Sequence, residues 1–331
     1  MSSNASFLSS ILGWLKGLLT GDLGDGGTRA GRRIDSGAVA IDEIEPGDGP
    51  EWGTLSGLAA HPTDASIVYA CADQDSPPAR IVAIDVSRNP PRVVRQIVVD
   101  APGIDHLDIE AVTAKRDGGF WLASEGGDFD EPPNLVLEID ASGKLLRRFA
   151  LPESISVRVQ RKGFEGIALV EHGGATLVFV AFQGGLAEDP HDTTRICALD
   201  PATGTWRFWT YPLSPGRDGD PTGISELLHL GGARFAAIER DGKGGRKSVK
   251  WLTTFTLDIA AGAPPEATPP RVAKRVALDL VPLFLDRDMK VEKEIEGLAV
   301  SADGQLYAIN DNDNERATLL LRLGRARDVL G

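Results

Sequence analysis

Oxygen-bearing side chains recur at one position of a repeated pattern, and this recurrence is the main chemical signal in the sequence. Each repeat has an apolar residue, then Ser or Glu, then usually a small residue and an apolar run, as in TLSGLAA, DIEAVTA, GFEGIAL, GISELLHL and EIEGLAV. The register residues, which lie 54, 55, 60 and 71 residues apart, are Ser56, Glu110, Glu165, Ser225 and Glu296. Hard oxygen donors with no His or Cys nearby indicate Ca²⁺ before zinc or copper.

A second recurring position follows each register residue and closes a segment that begins with an aromatic residue. Its members, each a carboxylate or an amide, are Asp73, Glu125, Gln183, Glu239 and Asp311. The sequence has no G-x-S-x-G elbow that would present a nucleophilic serine. Any hydrolysis would therefore use an activated water molecule, and the candidate bases are Glu125, Glu239 and Asp311.

The elements that must position these residues are short strands. Two more apolar segments follow in each unit, separated by turn signals such as RDGG and SADG. Four strands per unit without helical periodicity predict an all-β fold, a β-propeller of five four-stranded blades. The fifth unit lacks a fourth strand, and the segment 38–44 is predicted to supply it and close the ring. A sixth blade within 257–293 is the alternative, although the Pro-rich AAGAPPEATPP there indicates a loop.

In a propeller the first strand of each blade lines the central channel, and successive strands alternate in direction. Both recurring positions are therefore expected on one face, around the channel mouth. Glu110, Glu165 and Glu296 would repel one another there unless a cation neutralised them. The sequence thus predicts a Ca²⁺ site with the five register residues as ligands. The alternative is that these glutamates accept backbone N–H groups of neighbouring blades.

Basic residues near the same face are candidates for binding substrate. Arg240 and Lys243 follow the second strand of the fourth unit and could hold a phosphate or a carboxylate. The alternative is an exposed charged loop.

Composition restricts the partners. The chain has 331 residues, 48 of them acidic and 35 basic, with a net charge of −13, which argues against nucleic acid as a partner. Residues 7–19 carry one apolar helical face, too short to be a transmembrane segment, which could contact a membrane surface or dock on the domain. We expect an N-terminal helix and flexible linker over 1–33, a propeller domain over 34–331, and a monomer.

The ordered motifs DIEAVTA, RKGFEGIAL, GISELLHL with AAIERDG, and EIEGLAVSADGQLYAINDND resemble the phytase-like family, described as "esterase-like activity of phytase". The resemblance covers about residues 50–325 and implies hydrolysis of an ester or phosphoester in a small, often anionic substrate. Members are usually exported, yet the N-terminus has no basic start or uninterrupted apolar centre, so an extracytoplasmic and a cytoplasmic location both remain open.

The order Ser, Glu, Glu, Ser, Glu around the ring is also similar to the calcium site of calcium-dependent apyrases. That resemblance implies Ser56, Glu110, Glu165, Ser225 and Glu296 as metal ligands. The leading hypothesis is a calcium-dependent hydrolase of phosphoesters or related esters. The alternatives are a non-catalytic binding propeller with a structural calcium, and a carboxyl-ester or lactone hydrolase.

Overall fold

A computed structural model describes residues 39–48, 54–72, 78–104, 106–126, 133–160, 162–312 and 317–331. Within these residues the strands form five antiparallel sheets of four strands each, arranged as a β-propeller. The all-β class and the five-bladed architecture predicted from the repeats are therefore confirmed.

The blades are numbered in chain order, starting after the first strand, β1 (Ala40–Glu43). Blade 1 consists of β2 (Leu55–Ala60), β3 (Ile67–Ala72), β4 (Arg80–Asp85) and β5 (Arg92–Val98). Blade 2 consists of β6 (Asp108–Ala114), β7 (Phe120–Glu125), β8 (Leu135–Ile139) and β9 (Leu145–Ala150). Blade 3 consists of β10 (Phe164–His172), β11 (Ala175–Phe182), β12 (Thr193–Asp200) and β13 (Thr205–Pro212).

Blade 4 consists of β14 (Gly223–Gly231), β15 (Arg234–Arg240), β16 (Lys250–Thr256) and β17 (Lys274–Asp279). Blade 5 consists of β18 (Glu294–Val300), β19 (Gln305–Asp311) and β20 (Leu319–Arg325), with β1 as its outer strand. The helical elements described are short: α1 (Glu153–Ser156), a 3₁₀ turn (Ile259–Ala261), α2 (Val281–Leu285) and α3 (Ala326–Leu330).

The ring closes through the N-terminal strand. β1 pairs antiparallel with β20, so that Ala40 lies opposite Arg322 and Glu43 lies opposite Leu319. This pairing gives the last blade its fourth strand, as predicted. It also covers the edge of β20 that would otherwise stay unpaired. The interval 257–293 supplies β17 and α2 rather than a sixth blade.

Burial explains why the inner strands are more apolar than the outer ones. Inner and middle strands such as β2 and β8 are buried along almost their whole length, because blades pack against both of their faces. Outer strands face solvent on one side, and β13 alternates exposed and buried residues at its start. Between blades 3 and 4, the rings of Phe179 and Phe235 pack with centroids 5.0 Å apart.

Each inner strand carries a β-bulge at the register residue of its repeat. In β6, for example, Ile109 pairs with Ser124 and Ala111 pairs with Ala123, which leaves Glu110 outside the ladder. The bulged residues of the five inner strands are Ser56, Glu110, Glu165, Ser225 and Glu296. A bulge redirects the side chain that it carries, so each repeat re-aims its register side chain relative to the rest of the inner strand.

Two predictions concern residues outside the described ranges. The amphipathic helix and linker predicted over 1–33 lie there, and so does Asp73 of the second recurring position. In the part of the chain that the structure describes, no helix has the length and apolar character needed to cross a bilayer.

The close approach of neighbouring inner strands just after the bulge is testable at Gly297. A Cβ atom there would lie 2.6 Å from Leu58 Cβ and 2.8 Å from Leu58 N. We expect Gly297→Ala to lower the free energy of unfolding by about 1–3 kcal/mol through overpacking, measured by urea denaturation.

The control is Ala111→Gly at the equivalent position of blade 2, where a methyl group is already accommodated. It should cost only about 0.5–1 kcal/mol, the usual cost of glycine in a strand. A Gly297→Ala protein as stable as the wild type would show that the strands can separate at this level.

Candidate functional site

The bulged residues bring buried carboxylates together at one mouth of the channel. Glu165 and Glu296 are each only 4% exposed, and the negative charges of Glu110 and Glu296 both act on Glu165. The Ser56 hydroxyl donates to Glu110 Oε2 at 2.9 Å and lies at the same distance from its main-chain oxygen. The structure thus brings residues of blades 1, 2, 3 and 5 to one centre, called here the axial cluster: Ser56, Glu110, Glu165 and Glu296.

Glu165 has one satisfied and one unsatisfied oxygen. Its Oε1 accepts a hydrogen bond from Gln183 Nε2 at 2.6 Å, whereas its Oε2 is buried without a hydrogen-bond partner. Burial, followed by the negative charges of Glu110 and Glu296, raises the pKa of Glu165 well above its usual value. Glu165 is therefore a buried acid with one oxygen that accepts no hydrogen bond.

Glu296 has the same half-satisfied arrangement. Its Oε1 accepts from the Arg240 guanidinium, and its Oε2 is buried without a partner. Burial raises the pKa of Glu296 to about 7, with Glu294 and Asp311 adding to the shift and Arg240 opposing it. A single guanidinium is therefore not enough to keep this carboxylate at its ordinary acidity.

Two acidic groups flank the axial cluster at the ends of the strand pairs. Carboxylate oxygens of Asp108, Glu110 and Glu125 lie within 4.8 Å of one another, and so do those of Glu294, Glu296 and Asp311. The predicted bases Glu125 and Asp311 thus lie beside predicted ligands. Asp108 and Glu294 complete the groups because they pair across the strands with Glu125 and Asp311, although the sequence pattern did not identify either residue.

Glu239 occupies a different environment from the other two predicted bases. It is fully buried, and its Oε1 accepts from the Tyr211 hydroxyl at 2.6 Å and from the Lys274 ammonium. Its Oε2 accepts from Ser214 N and the Thr222 hydroxyl, both at 3.0 Å. These contacts favour a structural role that fixes blade 4, and the role of Glu239 as a base stays a prediction.

Ser225 is bulged like the other register residues, but its hydroxyl joins two blades. It donates to the main-chain oxygen of Ile295 in blade 5 at 2.8 Å. The alternative to metal binding concerned glutamates that accept backbone N–H groups, so this contact of a serine that donates does not test it. Its predicted role as a metal ligand stays a prediction.

A further buried carboxylate, that of Glu226, bonds to the inner strands, although the repeat pattern does not mark it. Its Oε2 accepts from Leu58 N of blade 1 at 3.0 Å, and its Oε1 accepts from Leu227 N at 2.9 Å. Backbone N–H groups of Ile167 and Leu298 also bond to it. Glu226 thereby joins the inner strands of blades 1, 3, 4 and 5. Burial raises its pKa, and the four N–H donors oppose that shift.

A sequence signal for Glu226 did exist. The position after each register residue holds Gly57, Ala111, Gly166 and Gly297 in the first, second, third and fifth repeats, and Glu226 in the fourth. A charged residue at a position reserved for small ones, within an otherwise buried strand, indicates a specific partner.

A small polar pocket adjoins the axial cluster between blades 3, 4 and 5. Its volume is about 240 Å³, and Lys162, Gln183, Arg240 and Glu294 contribute to its walls. Arg240, predicted to bind substrate, thus lies in the wall of a pocket. Lys243 does not line this pocket; its side chain is half exposed and its ammonium lies 3.7 Å from Asp218.

The fold and the acidic channel mouth define a five-bladed β-propeller with a candidate cation site. The chain belongs to the phytase-like family, since the family model described as "Phytase-like: Esterase-like activity of phytase" matches residues 50–314. The resemblance seen in the sequence is therefore confirmed. Comparison with curated proteins finds no match.

Several solved structures resemble the chain at low sequence identity. They include an α-L-arabinofuranosidase from Lactobacillus brevis, with a TM-score of 0.47, 11% identity, and coverage of 82% of this chain and 91% of that one. The soluble aldose sugar dehydrogenase from Escherichia coli has a TM-score of 0.45, 11% identity, and coverage of 86% and 99%. A gluconolactonase from Xanthomonas campestris has a TM-score of 0.43, 11% identity, and coverage of 81% and 72%. Similarities this remote carry no information on the reaction of this chain.

The axial role of Glu226 predicts a large loss of stability in Glu226→Gln. The amide nitrogen can only donate, so it would face backbone donors and leave some of them unsatisfied. We expect the free energy of unfolding to fall by roughly 2–4 kcal/mol, measured by urea denaturation. The control Glu171→Gln, on the exposed end of β10, should stay within about 0.5 kcal/mol of the wild type. Equal stability of the two variants would contradict the axial role.

The raised pKa of Glu296 predicts that the calcium-free protein loses stability as pH rises. The folded state holds the proton up to about pH 7, whereas the unfolded chain releases it near 4.5. The stabilising contribution is therefore complete below the unfolded pKa and is lost as pH rises through about 7. From about pH 5 to about pH 8, wild type should lose stability relative to Glu296→Gln by on the order of 3 kcal/mol, measured by urea unfolding in chelator. Parallel pH profiles would contradict the raised pKa.

Proposed function

We propose that the protein is a calcium-dependent hydrolase that cleaves a phosphoester or a related ester at the acidic mouth of its channel. The observation that carries this proposal is the pair of buried, unpartnered oxygens, Glu165 Oε2 and Glu296 Oε2. A buried carboxylate oxygen without a donor is costly, and a cation shared by two such oxygens would remove that cost. Membership of the phytase-like family supports ester hydrolysis.

The donors fit Ca²⁺ in chemistry and in number. Glu110, Glu165 and Glu296 supply carboxylate oxygens, and Asp108 and Glu294 lie in the acidic groups of Glu110 and Glu296, respectively. Calcium takes 6–8 oxygen ligands in flexible geometry, typically at about 2.3–2.6 Å. The hydroxyls of Ser56 and Ser225 remain candidate ligands through their lone pairs.

The chemistry would divide between the ion and the protein. A bound calcium ion would polarise the ester and stabilise the negative charge that develops on its oxygen. Glu125 and Asp311 are partly exposed and border the axial cluster, so either could take a proton from the attacking water. Arg240 in the wall of the adjoining pocket would hold the anionic part of the substrate, with Lys243 as a more distant candidate.

Calcium binding can be tested apart from catalysis by thermal unfolding. At a calcium concentration about 100-fold above Kd, the wild type should gain about 2.7 kcal/mol of stability. Glu165→Gln and Glu296→Gln should lose most of this gain, because each removes one of the two open anionic oxygens. Glu171→Gln should keep it, and an equal gain in all four proteins would overturn the axial site.

Hydrolysis is tested by product release from a panel of chromogenic phosphoesters, carboxyl esters and lactones, with calcium and with chelator. Calcium-dependent release from phosphoesters would support the proposal, and release from carboxyl esters or lactones alone would favour the alternative of a carboxyl-ester or lactone hydrolase. Turnover should fall at least about 100-fold in the variant that removes the catalytic base, Glu125→Gln or Asp311→Asn, with calcium stabilisation retained.

A structural calcium is the second candidate function, and one observation favours it. Glu110, Glu165 and Glu296 come from blades 2, 3 and 5, so an ion between them would fasten three blades together. In that case calcium would raise thermal stability as above, while no ester of the panel would be hydrolysed in either condition.

A further inference from the structure

The axial cluster and the 240 Å³ pocket share a wall made of two hydrogen-bond donors. Gln183 Nε2 donates to Glu165 Oε1, and the Arg240 guanidinium donates to Glu296 Oε1. Both donor side chains also line the pocket. The same two groups can therefore serve the carboxylates on one side or a ligand on the other.

Arg240 acts as the counter-cation of the axial carboxylates in this structure. Its Nη1 donates to Glu294 at 3.2 Å, its Nη2 donates to Glu296, and its charge also acts on Glu165. Its Nε is buried without a hydrogen-bond partner. The guanidinium is thus held by charge while one of its donors is unused, an arrangement that a divalent cation at the carboxylates would destabilise by repulsion.

The opposite wall of the pocket presents a second cation. Lys162 is exposed and makes no ion pair among the residues that the structure describes, and it adopts φ = 79°, a left-handed conformation uncommon for lysine. Its main-chain oxygen accepts from Gly184 N at 3.2 Å, and the next residue, Gly163, accepts from Gln183 N at 2.8 Å. The surrounding structure therefore fixes the backbone from which this side chain lines the pocket.

Acidic residues in the pocket already have their own cations. Asp241 accepts from the ammonium of Lys250, a fully buried lysine, at 3.0 Å. Glu294 is paired with Arg240. Asp241 therefore keeps its own cation whatever Arg240 does, while Glu294 lies in the acidic group of Glu296 and Asp311, where a bound divalent cation would neutralise it in place of Arg240.

We propose that this pocket is an oxyanion site that is completed when a divalent cation takes over from Arg240 at the axial carboxylates. The released guanidinium then turns to the pocket and, with Lys162, holds a tetrahedral or planar oxyanion such as a sulfate, phosphate or carboxylate group. This inference rests on the proposed calcium site and adds to it a second site whose occupancy depends on the first.

The two sites must then bind with positive and reciprocal coupling. An anion in the pocket favours the displaced position of Arg240 and so strengthens calcium binding, and calcium strengthens anion binding by the same factor. A coupling free energy in the usual range for linked sites corresponds to roughly a 5- to 150-fold change in affinity.

The test is calorimetric titration of the full chain with Ca²⁺ in chloride and in sulfate at equal ionic strength. We expect sulfate to lower the Kd for Ca²⁺ at least about fivefold in the wild type. Titration with sulfate should show the reciprocal effect, with tighter binding in the presence of Ca²⁺ than in chelator. Both titrations measure binding alone, so neither requires a substrate.

Three variants separate the contributions. Arg240→Gln should bind Ca²⁺ more tightly than the wild type in chloride, because the competing cation is gone, and should show little response to sulfate. Lys162→Gln should keep the calcium affinity of the wild type in chloride and lose most of the sulfate binding. Lys247→Gln removes the same charge from an exposed lysine on the loop after β15 that does not line the pocket, and it should match the wild type.

The outcomes that overturn the inference differ from those that overturn the calcium site. If the wild type binds Ca²⁺ with a Kd that sulfate does not change, or sulfate changes it equally in Arg240→Gln, the inference fails and the calcium site stands. Weaker calcium binding by Arg240→Gln would identify Arg240 as a fixed support of Glu296 and also overturn the exchange. If the wild type binds no Ca²⁺, both the axial site and this inference fail.

Discussion

The buried axis of the propeller, where backbone amides and carboxylates of different blades meet, is the constraint on which the rest of the structure depends. Inner strands pack so closely after their bulges that Gly57, Gly166 and Gly297 leave no room for a side chain. Backbone N–H groups there need an acceptor, since a buried donor without one costs roughly 1–3 kcal/mol. Glu226 supplies the acceptor for four of them from a single repeat. The ring of five similar inner strands therefore depends on Glu226, a residue that only one of the five repeats has at this position.

At the axial cluster the same geometry produces an excess of negative charge. The bulges aim carboxylates of three blades at one centre, where Arg240 is the cation that contacts the buried Glu296. The consequence is visible in the raised pKa values of Glu165 and Glu296, whose main cause is burial. The arrangement that makes these buried carboxylates costly without a counter-charge is also the one that we propose to bind a cation.

Much of the fold could be predicted from the repeats, and part of the site could not. The blade count and the closing strand followed from strand periodicity, which is a local property of the chain. The role of Glu226 could not be predicted, because its partner Leu58 N lies in another blade, 168 residues away along the chain. Asp108 and Glu294 lie next to predicted residues only through cross-strand pairing. Lys162 borders the pocket through the pairing of residues 162–163 with 183–184, which no pattern in the sequence indicates.

The sequence by itself determined the all-β class, the number of blades, and the position in each repeat that carries an oxygen donor. These features depend on alternation and on repeated spacing along the chain, which need no knowledge of distant contacts. Only the tertiary structure distinguished the roles of similar residues. Glu125, Glu239 and Asp311 occupy one position of the repeat, yet Tyr211 and Lys274 enclose Glu239 while the other two border the axial cluster. The physical reason is that the protonation and the partners of a carboxylate are set by neighbours from other strands, and the repeat does not specify those neighbours.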